Sequence, residues 1–195
     1  MIFASNNLGK LKEIKKIFND FEINSLKDKN INIDVVEDGE TFYDNALKKA
    51  KEIYNISKEE VIADDSGLCI SCLNGYPGVM THRFLGDTAT DSDRNLALIN
   101  KVNSFDNRKA YVICSLVYFD GVKIIEGVGK IEGKISHERR GDNGFGFDEI
   151  FELANGKTLA ELLPEEKNLI SARALAAQDL KKKIMIYRNN KWGDV

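Results

Sequence analysis

Tyr111-Val112-Ile113-Cys114-Ser115-Leu116-Val117-Tyr118-Phe119, followed by Asp120-Gly121 and the run 122–135, decides the fold class. Nine residues crowded with β-branched and aromatic side chains read as a strand. Asp-Gly is a hairpin dipeptide, because its glycine takes the positive φ that tight hairpin turns require. The run after it reads as the returning strand. Outward from this hairpin toward the N-terminus the pattern changes to strands alternating with helices. Residues 1–4 predict a short strand, and a helix follows with Leu11, Ile14, Ile17 and Phe18 on one face. Residues 31–36 alternate apolar and polar and predict a second strand. Phe42, Ala46, Ala50, Ile53 and Tyr54 trace an amphipathic helix opened by Thr41, with Asp44 in near-capping-box spacing. Residues 61–63 predict a strand that breaks into a turn at Asp64-Asp65-Ser66-Gly67. A helix is expected over 91–102, capped by Asp91 or Ser92. Beyond the hairpin come a glycine-rich loop at 141–146, a capping box at Thr158-Leu159-Ala160-Glu161, and a final helix over 170–184. Alternation early and a hairpin late predict an α/β protein with a mixed sheet, not a purely doubly wound one.

Size and composition set the bounds. At 195 residues, with two prolines and no Ser/Gly/Pro-rich linker, the chain reads as one continuous domain over 1–186 with a polar, fraying tail at 187–195. It is 43% hydrophobic and 30% charged, which is ordinary for a globular protein. The net charge is −3 and no long basic run exists, which argues against a nucleic-acid-binding surface but not against a nucleotide held by a few lysines. No stretch has the length of a transmembrane helix and the chain opens on a short apolar strand, so a cytoplasmic location is expected, with no membrane partner. Cys69, Cys72 and Cys114 give no disulfide framework, and the C-x-x-C spacing of the first two lacks a second pair to complete a zinc site, so buried reduced thiols are expected.

The chemistry begins at Asp64 and Asp65. Side chains alternate along a strand, so adjacent carboxylates point in different directions, and one fixes the turn while the other is open to other work. A carboxylate at the end of a buried strand has to be satisfied by a cation or by donors. An Asp-rich turn alone is as readily structural, and other motifs tip the balance. Ser5-Asn6-Asn7-Leu8-Gly9-Lys10 lies between a strand and a helix, where free N–H groups and the helix dipole favour an anion. Lys49 lies within Asn45-Ala46-Leu47-Lys48-Lys49-Ala50, whereas Lys48 and Lys51 read as a solvated face. Glu37, just before that helix, either complements its dipole or ligates Mg²⁺, which takes hard oxygen ligands. Asn143-Gly144-Phe145-Gly146-Phe147-Asp148 joins backbone freedom to two rings that either stack on a base or fill a core. His82 and His137 read as packing or surface residues, and no Ser-His-Asp or Cys-His set is apparent.

Taken together, these segments closely resemble the inosine triphosphate pyrophosphatase family, the XTP/dITP diphosphatases. The matching pieces are Ser5-Asn6-Asn7 with Lys10 and Glu13, Asn45-Ala46 with Lys49-Ala50, and Ala63-Asp64-Asp65-Ser66-Gly67-Leu68. Pro77-Gly78, Gly144-Phe145-Gly146-Phe147-Asp148, Glu165-Glu166-Lys167 and Arg173 complete the set, in the family's order over residues 1–184. The resemblance implies a single elongated α/β domain, its long mixed central sheet flanked by helices, with two lobes around a cleft, acting as a homodimer. It implies Mg²⁺-dependent hydrolysis of non-standard purine nucleoside triphosphates (ITP, dITP, XTP) to the monophosphate and pyrophosphate. The alternatives are a related pyrophosphatase acting on modified pyrimidine nucleotides and a non-hydrolytic nucleotide-binding protein. By the same resemblance Ser5, Asn6, Asn7, Leu8, Gly9, Lys10 and Lys49 hold the triphosphate. Glu37 and Asp65 bind Mg²⁺, and Asp65 also acts on the attacking water. Ser66, Phe145, Gly146, Phe147, Asp148, Lys167 and Arg173 contact the nucleotide, with Arg173 the expected donor to a keto base. The chain departs from the family's pattern at Ala172, where a histidine is usual, at Glu149, where a proline is usual, at Phe147, where a tyrosine is usual, and at Asn143 in place of glycine.

Overall fold

The structure, a computed structural model, describes residues 1–86 and 88–192. Six strands form one sheet in the order β2-β1-β3-β4-β5-β6: β1 (Ile2–Phe3), β2 (Asn24–Ser25), β3 (Val61–Ile70), β4 (Lys109–Phe119), β5 (Ile124–Ile135) and β6 (Phe151–Glu152). β1 runs parallel to both β2 and β3, with Ile2 opposite Val61, whereas β5 and β6 are antiparallel, with Ile135 opposite Phe151. The sheet is therefore mixed, as the hairpin predicted. The helices are α1 (Leu8–Ile17), α2 (Phe42–Ser57), α3 (Asp91–Val102), α4 (Pro164–Ile170) and α5 (Ala172–Trp192).

Two compact units arise from this one sheet because β3, β4 and β5 pass from one to the other. The first comprises Met1–Asp65, Cys114–Gly129 and the chain from Ala172 onward; the second comprises Ser66–Ile113 and Lys130–Ser171. In the first unit α2 lays Ala46, Ala50 and Ile53 against Ile2, Val61, Ala63 and Val117 of the strands. That spacing is the apolar stripe of an amphipathic helix. α2 is opened by Thr41, whose hydroxyl accepts from the Asp44 N–H. α5 approaches β5 so closely that a Cβ on Gly129 would lie 2.0 Å from the Ala172 carbonyl oxygen and one on Gly127 2.4 Å from that of Ala176. In the second unit α3 buries Leu98, Ile99 and Val102, and its cap is Thr90, not Asp91 or Ser92, in a reciprocal box with Asp93.

Other expectations are corrected. β3 does not break at Asp64: it runs unbroken through Asp64-Asp65-Ser66-Gly67, and all ten of its residues are buried. Polar residues are tolerated within a buried strand when they are paired, and here Lys10 and Arg173 pair with Asp64 and the Asn45 amide donates to Asp65. Residues 31–36 form no strand. Their alternation survives as burial, with Ile31, Ile33 and Val35 packed on the core, but Asn24–Ser25 takes the edge beside β1. A period of two reports which side of a segment is covered, not whether its backbone is laddered. The expected helix over 170–184 forms as α5 from Ala172 onward, while Ile170 instead ends α4 and Ser171 between them has an extended backbone. The tail does not begin at 187, since α5 continues to Trp192: the Tyr187 hydroxyl donates to Asp120, and Arg188 donates to Glu60 and covers the Phe21 ring. Residues 193–195 of that tail lie outside the described residues. Cys69 and Cys114 are buried and reduced as expected, but Cys72 is only half-buried.

Candidate active site

Alternation along β3 places its two carboxylates in different company. Asp64 meets α1 and α5: its Oδ2 lies 3.1 Å from Lys10 Nζ and 3.2 Å from Arg173 Nε. Arg173 also donates through a terminal nitrogen to Glu13 Oε2 at 2.8 Å. Asp64 is fully buried, which alone would raise its proton affinity, but Lys10, Arg173 and Lys49 outweigh burial and hold it well below the usual carboxylate range. A buried charge is tolerated only when paired in this way. Its Oδ1 is buried with no hydrogen-bond partner among the described residues.

Asp65 points to α2. The Asn45 amide donates to its Oδ2 at 2.9 Å, and the same side chain accepts the Gly39 N–H at 2.7 Å, tying the segment before α2 to the strand. Lys49, one turn beyond Asn45, pairs with Glu37. Burial is the largest influence on Asp65; Lys49 opposes it and Glu37 reinforces it, and the carboxyl is pushed up to about 6. Lys49 stays charged: burial works against its ammonium, but Asp64, Glu37 and Asp65 raise its proton affinity. Neighbouring carboxylates of unlike proton affinity are the arrangement that acid–base and metal chemistry use.

The same unit presents the start of α1. Asn7 caps it by accepting the Lys10 N–H at 3.0 Å, and Ser5 accepts the Asn7 N–H at 3.2 Å. Asn6, Asn7 and Leu8 are exposed, and Gly9 and Ser5 half-exposed, so the positive end of this ten-residue helix faces solvent, with the Lys10 N–H already taken by Asn7. The structure thus brings Lys10, Lys49, Glu37, Asp65 and Arg173 into the first unit with the α1 turn.

The remaining candidates fall in the second unit. Ser66 is buried on β3. Asp148, also buried, accepts from the Phe145 N–H at 2.8 Å and from Lys167 Nζ at 2.6 Å, and Lys167 sits 4.4 Å above the Phe145 ring. Gly144 is obligatory here: its φ is +89°, and a Cβ would fall 2.2 Å from Asp148 Oδ2. Phe145, Gly146 and Phe147 are half-exposed around that anchor.

One expected role changes. The Arg173 guanidinium, expected as a free donor to a base, is buried and committed to Asp64 and Glu13. Asp64, Glu13 and Asn45 went without a functional assignment from sequence. The signal was present: Glu13 lies three residues after Lys10 and Asn45 four before Lys49, spacings that share one helix face. As to a metal, no group of three or more His, Cys, Asp or Glu residues gathers among the described residues. What is present is an all-oxygen pair, Asp65 with Glu37 close enough to raise its proton affinity. That chemistry fits a hard divalent cation, which needs few protein oxygens when phosphates supply the rest.

These features define an α/β protein with a six-stranded mixed sheet and a buried carboxylate–cation centre on its third strand. The chain belongs to the Ham1 family, whose family model matches residues 1–183. It is similar to the dITP/XTP pyrophosphatase of Clostridium perfringens, 45% identical over 193 residues that cover 92% of this chain and 94% of that one. The dITP/XTP pyrophosphatase of Clostridium tetani is 39% identical, with 98% of both chains covered. Among solved structures, a HAM1 protein from Coxiella burnetii superposes with a TM-score of 0.87 at 34% identity, covering 95% of this chain and 98% of that one. The Ham1 protein of Staphylococcus aureus gives 0.83 at 32%, covering 97% and 98%.

Proposed function

We propose that this protein hydrolyses non-standard purine nucleoside triphosphates (dITP, XTP and ITP) to the monophosphate and pyrophosphate, using Mg²⁺. The observation that carries the reading is the contrast on β3. Asp64 is ionised and neutralised by Lys10 and Arg173, while the adjacent Asp65 is buried beside Glu37 and Lys49 with its carboxyl pushed up to about 6. A carboxylate of raised proton affinity is a competent acceptor for a proton from water. Lys49 and the exposed N-terminal end of α1 supply positive charge for a polyanion, and Lys10 adds to it from beside Asp64. Glu37 and Asp65 would hold the cation, which when bound supplies Lewis-acid stabilisation at phosphate oxygens. Asn45 keeps Asp65 oriented from α2. The Phe145–Phe147 turn offers rings for a base, with Lys167 and Asp148 fixing it. Relatives named dITP/XTP pyrophosphatase match along nearly the whole chain.

The test is pyrophosphate release over a panel of ITP, XTP, dITP, GTP, ATP and modified pyrimidine triphosphates, with and without Mg²⁺. Keto purines turned over well ahead of ATP, with activity lost on chelation and restored by Mg²⁺, is the expected outcome. Preference for modified pyrimidines, or nucleotide binding without turnover, overturns it. We extend the proposal to a cytoplasmic homodimer. No helix among the described residues is long and apolar enough to cross a membrane. Light scattering showing a monomer at micromolar concentration removes the dimer.

A further inference from the structure

The turn that carries Phe145 and Phe147 is braced from outside by side chains to which the reaction assigns nothing. Both backbone polar groups of Gly146 are held by α3: its N–H donates to Asp91 Oδ2 at 2.9 Å, and its carbonyl accepts from Asn95 Nδ2 at 2.8 Å. Asn95 is 2% exposed, and the same amide reaches Glu149 Oε2 at 3.2 Å. Glu149 is gripped at both oxygens by Arg139, Nε to Oε2 at 2.6 Å and a terminal nitrogen to Oε1 at 3.1 Å. The other terminal nitrogen of Arg139 donates to Ser92 Oγ on the first turn of α3. The Arg139 hydrogen bonds are the main reason the Glu149 carboxyl lies below its ordinary range.

Such a brace has a reason to exist. Gly144 and Gly146 both take positive φ, and glycine loses more freedom on ordering than any other residue. A turn built on two of them would sample many arrangements of the flanking rings unless held. A bidentate Arg–carboxylate pair fixes geometry as well as adding energy.

We propose that Asp91, Asn95, Arg139 and Glu149 are positioning residues for the purine base: they hold Phe145-Gly146-Phe147 in the arrangement that receives it. Affinity for the base therefore depends on them and the phosphate chemistry does not. The inference rests on the reading of that turn as the base contact.

The experiment is steady-state kinetics with ITP for the wild type, Arg139→Ala, Arg139→Lys, Glu149→Gln and Asn95→Ala, with inorganic tripolyphosphate as a competitive inhibitor that carries no base. If loss of the brace leaves the turn competent about one-tenth of the time, KM for ITP rises about tenfold. kcat and the tripolyphosphate inhibition constant then stay within about twofold of wild type, because neither uses the turn. Arg139→Lys keeps one donor and recovers part of the loss. Arg139 is partly exposed, so its variants and Glu149→Gln carry the test if Asn95→Ala does not fold. An unchanged KM overturns the proposal, and so does equal weakening of ITP and tripolyphosphate, which marks general damage. A wild type that does not turn over ITP overturns the hydrolase reading instead. Calorimetry of ITP then decides the brace: weaker binding by the variants supports it, and no ITP binding to any of them ends it.

Discussion

Asp64 and Asp65 are chain neighbours with opposite proton affinities, and the strand's alternation is the cause. One side chain meets Lys10 and Arg173, the other meets Asn45 with Glu37 nearby. The Asp65 carboxyl, pushed up to about 6 from an ordinary 3.8, binds its proton more tightly folded than unfolded. The stability this lends is present below pH 3.8 and is lost as pH rises through about 6, so at pH 7 the ionised group weakens the fold. A rise of that size is worth at most about 3 kcal/mol. Asp65→Asn should therefore unfold at higher urea than the wild type in metal-free buffer at pH 7, while losing about 10²–10⁴ in kcat. A variant that is less stable, or that keeps near-normal turnover, contradicts this placement. Lysines give a second check. Lys10→Ala and Lys49→Ala should weaken triphosphate binding by about 10- to 100-fold, and exposed Lys51→Ala by less than about twofold. Equal effects in a binding titration would mean that the site lies elsewhere. At this scale Lys10, Lys49, Glu37 and Asp65 were picked out by their motifs together with the family resemblance those motifs carry. The sequence did not display that Asp64 and Arg173, 109 positions apart, share an ion pair, because long-range pairing leaves no local pattern.

Elements set the reach of those side chains. Arg173 stands on the first turn of α5, and α5 lies against β5 at the two glycines 127 and 129, facing Ala172 and Ala176. Any side chain at 129 would push the helix outward and carry Arg173 with it. Gly129→Ala should cost about 1–3 kcal/mol or more, since its Cβ would meet helix backbone 2.0 Å away, which cannot rotate aside. Turnover should fall with it, whereas Val128→Ala, exposed next door, should change neither. Urea melts with parallel rate measurements decide the matter: a Gly129→Ala protein within about 0.5 kcal/mol of wild type would mean the close approach does not hold α5. Periodicity made most helices and the hairpin legible, because amphipathic faces and Asp-Gly are local signals. It failed where tertiary partners decide. The carboxylates of β3 read as a turn because their partners are distant in the chain, Lys10 and Arg173 for Asp64 and Asn45 for Asp65, and the alternation of residues 31–36 reported packing without a ladder.

For the whole molecule, burial of acidic groups that take no part in phosphate chemistry sets a limit at high pH. The mixed sheet was readable from the hairpin, but the depth at which each strand residue lies was not, since it depends on both faces being covered. Cys114 on β4 shows the consequence. Burial, partly countered by Arg173, pushes its thiol up to about 12 from an ordinary 9.0. Tyr118 on the same strand is pushed above its ordinary range by burial and by its hydrogen bond to Glu60. Each keeps its proton in the folded protein after the unfolded chain has lost it, so the unfolded state binds fewer protons and stability falls as pH rises. For Cys114 the window opens at 9.0 and closes near 12; Tyr118 joins above its ordinary 10.0. Within it, one such group removes about 1.4 kcal/mol of stability per pH unit. Cys114→Ala carries a constant offset from the lost side-chain packing but no titration. The difference in unfolding free energy between wild type and Cys114→Ala, from urea melts across pH 7 to 11, should thus be flat below about pH 9. Above that it should close at about 1.4 kcal/mol per unit, as the wild type alone loses that proton's worth of stability. A difference that stays flat to pH 11 would mean the thiol ionises as readily in the folded protein as in the unfolded chain, and that β4 at Cys114 is not dry.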